Sequence, residues 1–226
     1  MMKDTALNMI EELFIEKLHA SPVYYVVEGA EELARDSLEK ARTPEEKIAA
    51  LSEIMPIYLA QRNYLEAYFL IKSLLNDPFM LDHKSYVLFQ KGRICEFLYE
   101  FNDALICYCR ALTCPMIPDE IVYDLWNNTG FCWLYKRNLK SAEICCRRAI
   151  ELDMNRWGGW KNLAVSLEHQ QCFKESLSAY IKAVGLSKGN EVAVLHLWRF
   201  DKRHPDILPN GSEIRQEIYK EYQIII

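Results

Sequence analysis

The strongest constraint in this 226-residue chain is a spacing. Gly130 and Ala164 stand 34 residues apart. The same step carries Trp126 to Trp160, Trp133 to Leu167, Leu139 to Phe173, Ala142 to Ser176, Cys146 to Tyr180 and Ala149 to Ala183. A step of 38 back from this set reaches Leu88, Gly92, Cys95, Phe101, Ala104, Tyr108 and Ala111. A further 37 back reaches Leu51, Met55, Tyr58, Tyr64, Ala67, Ile71 and Leu74. Counted from 48, 85, 123 and 157, these residues occupy places 4, 8, 11, 17, 20, 24 and 27 of four units. The unequal steps are taken up by short additions at Asp82–Lys84 and Asp119–Val122.

Steps of three and four residues put places 4, 8 and 11 on one helical face and places 17, 20, 24 and 27 on another. A polar break separates the two faces, as in Lys136-Arg137-Asn138 and His169-Gln170-Gln171. Small residues at places 8 and 20 let the two helices approach closely. Such a hairpin cannot bury its apolar face alone, so neighbouring hairpins have to stack on it. Composition agrees with helices. Glycine and proline number only eight each, too few for the turns of an all-β fold. The chain is 50% hydrophobic and 26% charged, as in a folded globular protein.

These residues resemble the tetratricopeptide repeat (TPR). Its signature sets tryptophan, leucine-glycine and tyrosine on a first helix, then alanine, phenylalanine and proline. Trp126, Gly130, Trp133, Ala142 and Ala149 match it, followed by Trp160, Leu163, Ala164, Phe173, Tyr180 and Ala183. Met154 and Lys188 replace the closing proline, and Pro78 and Pro115 lie near that place in the first two units. The first unit departs most, with Met55 at place 8 and Pro56 inside its first helix, where it should kink the helix or shift its start. The resemblance implies an all-α, right-handed superhelical solenoid of about four TPR-like hairpins with flanking capping helices. Its expected organisation is an N-terminal hairpin or cap at 1–47, repeats at about 48–81, 85–118, 123–156 and 157–190, and capping helices at 191–226.

The flanks also read as helical. Asp4–Ala20 carries Leu7, Ile10, Leu13, Phe14 and Leu18 on one stripe. Ser21-Pro22 reads as the start of a helix to about Arg42. Thr43-Pro44-Glu45-Glu46 predicts a capping box with proline in the first turn. Glu191–Arg203 is a further helix, His204–Gly211 a loop, and Ser212 caps a last helix to about Tyr222.

The resemblance also implies a concave groove lined by the first helices. Tyr86, Phe89, Arg93 and Phe97 fall on groove places in the second unit, with Gln90 and Glu96. Asn127, Asn128, Phe131 and Tyr135 do so in the third, with Asp124. Lys161, Asn162 and His169 do so in the fourth, with Glu168. Asparagine amides can pair with both the N–H and the C=O of an extended peptide. Exposed aromatics supply contact area at low entropic cost. The expected function is therefore non-catalytic binding of a peptide segment or partner helix, as a scaffold, adaptor or assembly factor. Two other readings stay open. The N-terminal helices could fold back over the groove aromatics. An end helix, Ser212–Ile226, could enter a second copy's groove and make a homo-oligomer. The two-carboxylate clamp of some TPR domains is not expected, since Phe89, Gly158 and Asn162 stand where its cationic or polar members would be.

No phosphate-loop, dinucleotide, zinc-protease or nucleophile-elbow motif occurs, and the five histidines are scattered. His169 beside Glu168 reads as a solvated groove rim. Trp157-Gly158-Gly159-Trp160 reads as a tight turn into the fourth unit. The formal charge of -5 and pI near 5.6 argue against nucleic acid as a partner. No apolar run approaches membrane-spanning length and no leader pattern opens the chain, so a cytoplasmic location is expected. The eight cysteines lack metal-site spacing and read as small, reduced core residues, with a redox or metal site as the lesser alternative. No cofactor is expected.

Overall fold

The structure is a computed structural model that describes residues 29–188, 190–208 and Gln216. Among the described residues there are ten α-helices, one short 3-10 turn and no strand. They are α1 Ala30–Lys40, α2 Pro44–Ala60, α3 Tyr64–Leu75, α4 Lys84–Phe97 and α5 Phe101–Leu112. There follow α6 Asp119–Tyr135, α7 Leu139–Leu152, α8 Trp157–His169, α9 Phe173–Ser187 and α10 Glu191–Arg203. The 3-10 turn, Pro78–Met80, lies between α3 and α4. By its contacts the chain forms two compact units, 1–132 and 133–226.

In the first unit the helices pack in chain order. α1 lies on α2, α2 on α3 and α4, α3 on α4, and α4 on α5. The repeat places explain the core. Leu51 and Met55 on α2, Ala67 and Ile71 on α3, Leu88 on α4, and Ala104, Tyr108 and Ala111 on α5 are all buried. The second unit follows the same rule, with α7 on α8, α8 on α9, and α10 on both α9 and α8. Its core gathers Leu134, Ala142, Ala164, Tyr180, Leu197, Phe200 and Leu208. Place 20 has no accessible surface at any of its four positions, Ala67, Ala104, Ala142 and Ser176. Ser176 keeps its hydroxyl satisfied there by donating to the Ala164 carbonyl at 2.8 Å.

One backbone turn recurs four times among the described residues. Arg62, Tyr99, Arg137 and Gln171, each at place 15, have φ between 61° and 64°. The N–H of the next residue reaches five back: Asn63 to Tyr58 O, Glu100 to Cys95 O, Asn138 to Trp133 O and Cys172 to Leu167 O, at 2.8 to 3.0 Å. This is the Schellman closure of a helix, which normally uses glycine at the left-handed position. None of the four residues is glycine, and a side chain there costs about 1–2 kcal/mol. Gln171→Gly is therefore expected to raise stability by about 0.5 kcal/mol, net of glycine's larger unfolded-state entropy. Gln171→Ala should show no such gain in the urea midpoint.

Several local expectations meet direct observations. Glu46 N donates to Thr43 Oγ1 at 3.2 Å and Thr43 N to Glu46 Oε2 at 3.2 Å, completing the capping box. α2 starts at Pro44 and runs through Pro56, so Pro56 does not shift the helix start. α1 starts at Ala30 after Gly29, whose φ of 85° places it at the helix N-cap, and residues 22–28 of the expected helix lie outside the described residues. The four added residues Asp119–Val122 form the first turn of α6, which has 17 residues against 13 in α8. Gly158 and Gly159 lie inside the first turn of α8, so the turn into the fourth unit falls before Trp157. Trp160 Nε1 donates to Met154 O at 2.8 Å across that turn. The cysteines are not uniformly core: Cys109 and Cys172 are exposed and Cys114 is half-buried, while the other five are buried. Among the described residues no helix is long and apolar enough to cross a membrane. The expected helix over 4–20 lies outside the described residues, as do the tail and all of 212–222 except Gln216.

Candidate functional site

The first unit carries a cavity of about 440 Å³. α4 gives it Tyr86, Phe89, Gln90 and Arg93. Their steps of three and four residues place them on one face. α6 gives it Glu120, Asp124 and Asn128, spaced four apart on one face, together with Ile121. α2 adds Ser52. Pro56 has no N–H, so the Ser52 carbonyl lacks its donor four residues on. The aromatic wall is packed edge-on, with Tyr86 and Phe89 centroids 6.3 Å apart. The Arg93 guanidinium sits 5.9 Å over the Phe89 ring and donates to Gln90 Oε1 at 3.1 Å. Burial pushes the Tyr86 hydroxyl above its ordinary pKa, so it stays neutral.

Behind this wall, a buried hydrogen bond locks the second hairpin. Tyr108 Oη donates to Glu96 Oε1 at 2.6 Å. Burial, and then the Glu96 charge, raise the Tyr108 pKa well above normal, which keeps the hydroxyl a donor. The same pair recurs at the same places in the fourth hairpin, where Tyr180 Oη donates to Glu168 Oε2 at 2.9 Å. The two carboxylates at place 12 are thus turned toward the paired helix. Glu168 holds more. Arg203 Nε and Nη2 donate to it at 3.0 and 3.2 Å, and His204 Nε2 lies at 2.9 Å. The His204 ring stacks 4.3 Å from Phe173 and 4.9 Å from Phe200.

The structure places the sequence-predicted groove residues as follows. Tyr86, Phe89, Arg93 and Asn128 share the cavity. Phe97 stacks on Tyr64 at 6.2 Å, and Phe131 packs edge-on against Phe101 at 6.5 Å. Asn127 Nδ2 reaches Asn128 Oδ1 at 3.4 Å. Tyr135, Lys161, Asn162 and His169 belong to the second unit. There Lys161 and Asn162 are buried, while His169 is exposed. The groove places of units two to four do not single out Ser52, Glu120 and Ile121. Applying the groove places to the first unit gives Ser52 at place 5. Starting α6 at Asp119 gives the other two. Arg203 and His204 were also missed, since nothing in the repeat pattern points from α10 to Glu168.

His196, buried on α10, stacks 6.0 Å from Tyr180. Burial lowers its pKa well below normal, helped by the Lys161, Arg199 and Arg203 charges. The native state therefore keeps His196 neutral where an unfolded chain would take up a proton. Stability is full above about pH 6.5 and falls as pH drops below it. The expected loss is about 1.4 kcal/mol per pH unit between pH 6.5 and 5. His196→Gln should remove most of that slope in urea melts.

No family model matches the sequence, and no curated protein matches it significantly. Solved structures do match. The MamA RS-1 ArsTM double mutant aligns at 15% identity over 78% of this chain and 93% of its own, with a TM-score of 0.60. MamA 41-end from Desulfovibrio magneticus RS-1 aligns at 15% identity over 86% and 93%, with a TM-score of 0.53. The first TPR of Spaghetti (RPAP3), bound to an HSP90 peptide, aligns at 18% identity over 55% and 96%, with a TM-score of 0.49. The fold is TPR-like. TPR-like hairpins thus account for the paired helices, the small residues between them and the repeated turn at place 15.

Proposed function

We propose that this TPR-like chain is a non-catalytic protein–protein interaction module, a scaffold, adaptor or assembly factor that takes a peptide segment into its groove. The observation that carries this reading is the cavity of about 440 Å³, a size within the range of ligand sites. Its wall combines two aromatic rings with the amides of Gln90 and Asn128. Rings give contact area with few rotors to freeze, and amides can pair with a peptide backbone in both senses. We read the repeats as the four units at about 48–81, 85–118, 123–156 and 157–190, with capping segments at either side. The test is affinity capture with the native protein and with Arg93→Ala/Asn128→Ala. Both side chains are half-buried cavity residues, so the variant should fold. Loss of the captured partners supports the groove. Partners retained at undiminished yield, by a variant with a native melting curve, would overturn it.

A further inference from the structure

The second hairpin carries two free thiols on facing helices, Cys95 on α4 and Cys107 on α5. Cys95 stands three residues beyond Gly92, on the face of α4 that meets α5. Cys107 stands between Ala104 and Ala111 at steps of three and four, on the face of α5 that meets α4. The next residue along each helix fixes the register, since Tyr108 Oη donates to Glu96 Oε1 at 2.6 Å across the hairpin. The helices are close here: a Cβ on Gly92 would stand 2.3 Å from Tyr108 Cε1. Cys95 is 6% exposed and Cys107 5%, and exposed Asp103, Ile106 and Arg110 border the pair on α5. The pair thus sits just beneath the surface, within reach of small reagents. Its two thiols are chemically unequal. Contact with Cys107, and then burial, pushes the Cys95 thiol well above its ordinary pKa. Contact with Cys95, aided by the Lys91 and Arg110 charges, holds Cys107 below its own despite burial.

We infer that Cys95 and Cys107 form a redox-active dithiol that hydrogen peroxide closes to a disulfide, stapling α4 to α5. Cys107 supplies the attacking thiolate. Its sulfur bonds to one peroxide oxygen as the O–O bond breaks, and the departing hydroxide takes up the proton that Cys107 had released, giving water. Cys107 is then a sulfenic acid. The Cys95 sulfur attacks the Cys107 sulfur, the S–O bond breaks, and hydroxide leaves with the Cys95 proton as a second water. Two thiols have lost two electrons and two protons, and one peroxide has become two waters. The link closes the loop 95–107 and so restricts the unfolded chain. It also fixes α4, which carries Tyr86, Phe89 and Arg93 to the cavity. The site is independent of what the groove binds.

The test treats the full chain, kept dilute, with hydrogen peroxide. The product is alkylated in denaturant and digested with a protease that cuts after glutamate and aspartate. Cuts after Glu96, Glu100 and Asp103 leave Cys95 and Cys107 in separate peptides, the second of which also holds Cys109. Mass spectrometry should find the two peptides joined, lighter than their sum by two hydrogens and separated again by dithiothreitol. The count of free thiols should fall from eight to six. Cys109→Ser should keep the link, whereas Cys95→Ala and Cys107→Ala should each abolish it. In Cys95→Ala the sulfenic acid should persist at Cys107 and be trapped by dimedone. The urea midpoint of the native chain should rise on oxidation and return on reduction. The link in the native chain is read without any variant, so a variant that fails to fold leaves that result standing. A native chain that keeps its eight thiols overturns the dithiol. So does one in which Cys109, Cys114 or Cys172 oxidises while Cys95 and Cys107 stay reduced. A link that leaves the urea midpoint unmoved overturns the staple.

Discussion

Gly92→Ala is expected to destabilise the first unit by about 2–3 kcal/mol, although alanine is ordinarily the better helix former. Gly92 lies in the middle of α4, where glycine costs about 1 kcal/mol relative to alanine. It is there because the paired helix leaves no room. A Cβ at this position would stand 2.3 Å from Tyr108 Cε1 and 2.7 Å from Cδ1 and Cζ. The ring cannot swing aside. It has no accessible surface, it packs 6.2 Å from Phe89, and its hydroxyl is held by Glu96 at 2.6 Å. The overlap has to be relieved by moving α4 away from α5, which opens the tightest contact of the hairpin. Urea midpoints of Gly92→Ala, Tyr108→Leu and the pair give the decisive comparison. Tyr108→Leu alone loses packing and its hydrogen bond, yet it makes room for the methyl. The double variant should therefore lose distinctly less than the sum of the two. Strict additivity would show that the two residues do not compete for space.

Glu168→Ala should cost the second unit about 2–4 kcal/mol. The side chain of Glu168 is 6% exposed and that of Arg203 37%, so one end of the ion pair is desolvated and the other is partly screened. Removing the carboxylate strands a buried Tyr180 hydroxyl together with the Arg203 fork and the His204 ring. Stranding a buried charge partner is what makes such deletions expensive, and the partial exposure of Arg203 keeps the figure below the top of the usual range. Glu168→Gln preserves the shape and should lose about half as much. Tyr180→Phe leaves the ion pair intact and should lose about 1 kcal/mol. A deletion costing no more than a surface ion pair would mean that the contacts at the end of α10 contribute nothing to stability.

The network around Glu168 also marks the limit of sequence reading. A fixed spacing finds what the repeat demands of every unit, and Glu168 looks like any groove-facing polar residue in that register. Its partners lie about 35 residues later, outside the repeat, and only folding brings Arg203 and His204 to it. The left-handed turns were hidden for a different reason. Arg62, Tyr99, Arg137 and Gln171 have positive φ, yet none is the glycine that ordinarily marks that conformation in a sequence. Gly29 and the Trp157–Trp160 segment went the other way. The spacing reads their glycines as parts of a helix and of a turn, whereas Gly29 caps the start of a helix and the other two sit within one.

The order of amino acids alone determined that the chain is helical, that its hairpins recur, and which side chains are small so that helices can meet. Those properties are periodic, and periodicity survives in one dimension because an α-helix repeats its faces every few residues. The tertiary structure alone decided which polar groups turn inward and which line a cavity. Ser52, Gln90, Arg93, Glu120 and Asp124 come together only where α2, α4 and α6 bring them around one cavity. Burial and electrostatics depend on distance in space, and the charge of a cavity is the sum over residues that the sequence keeps apart.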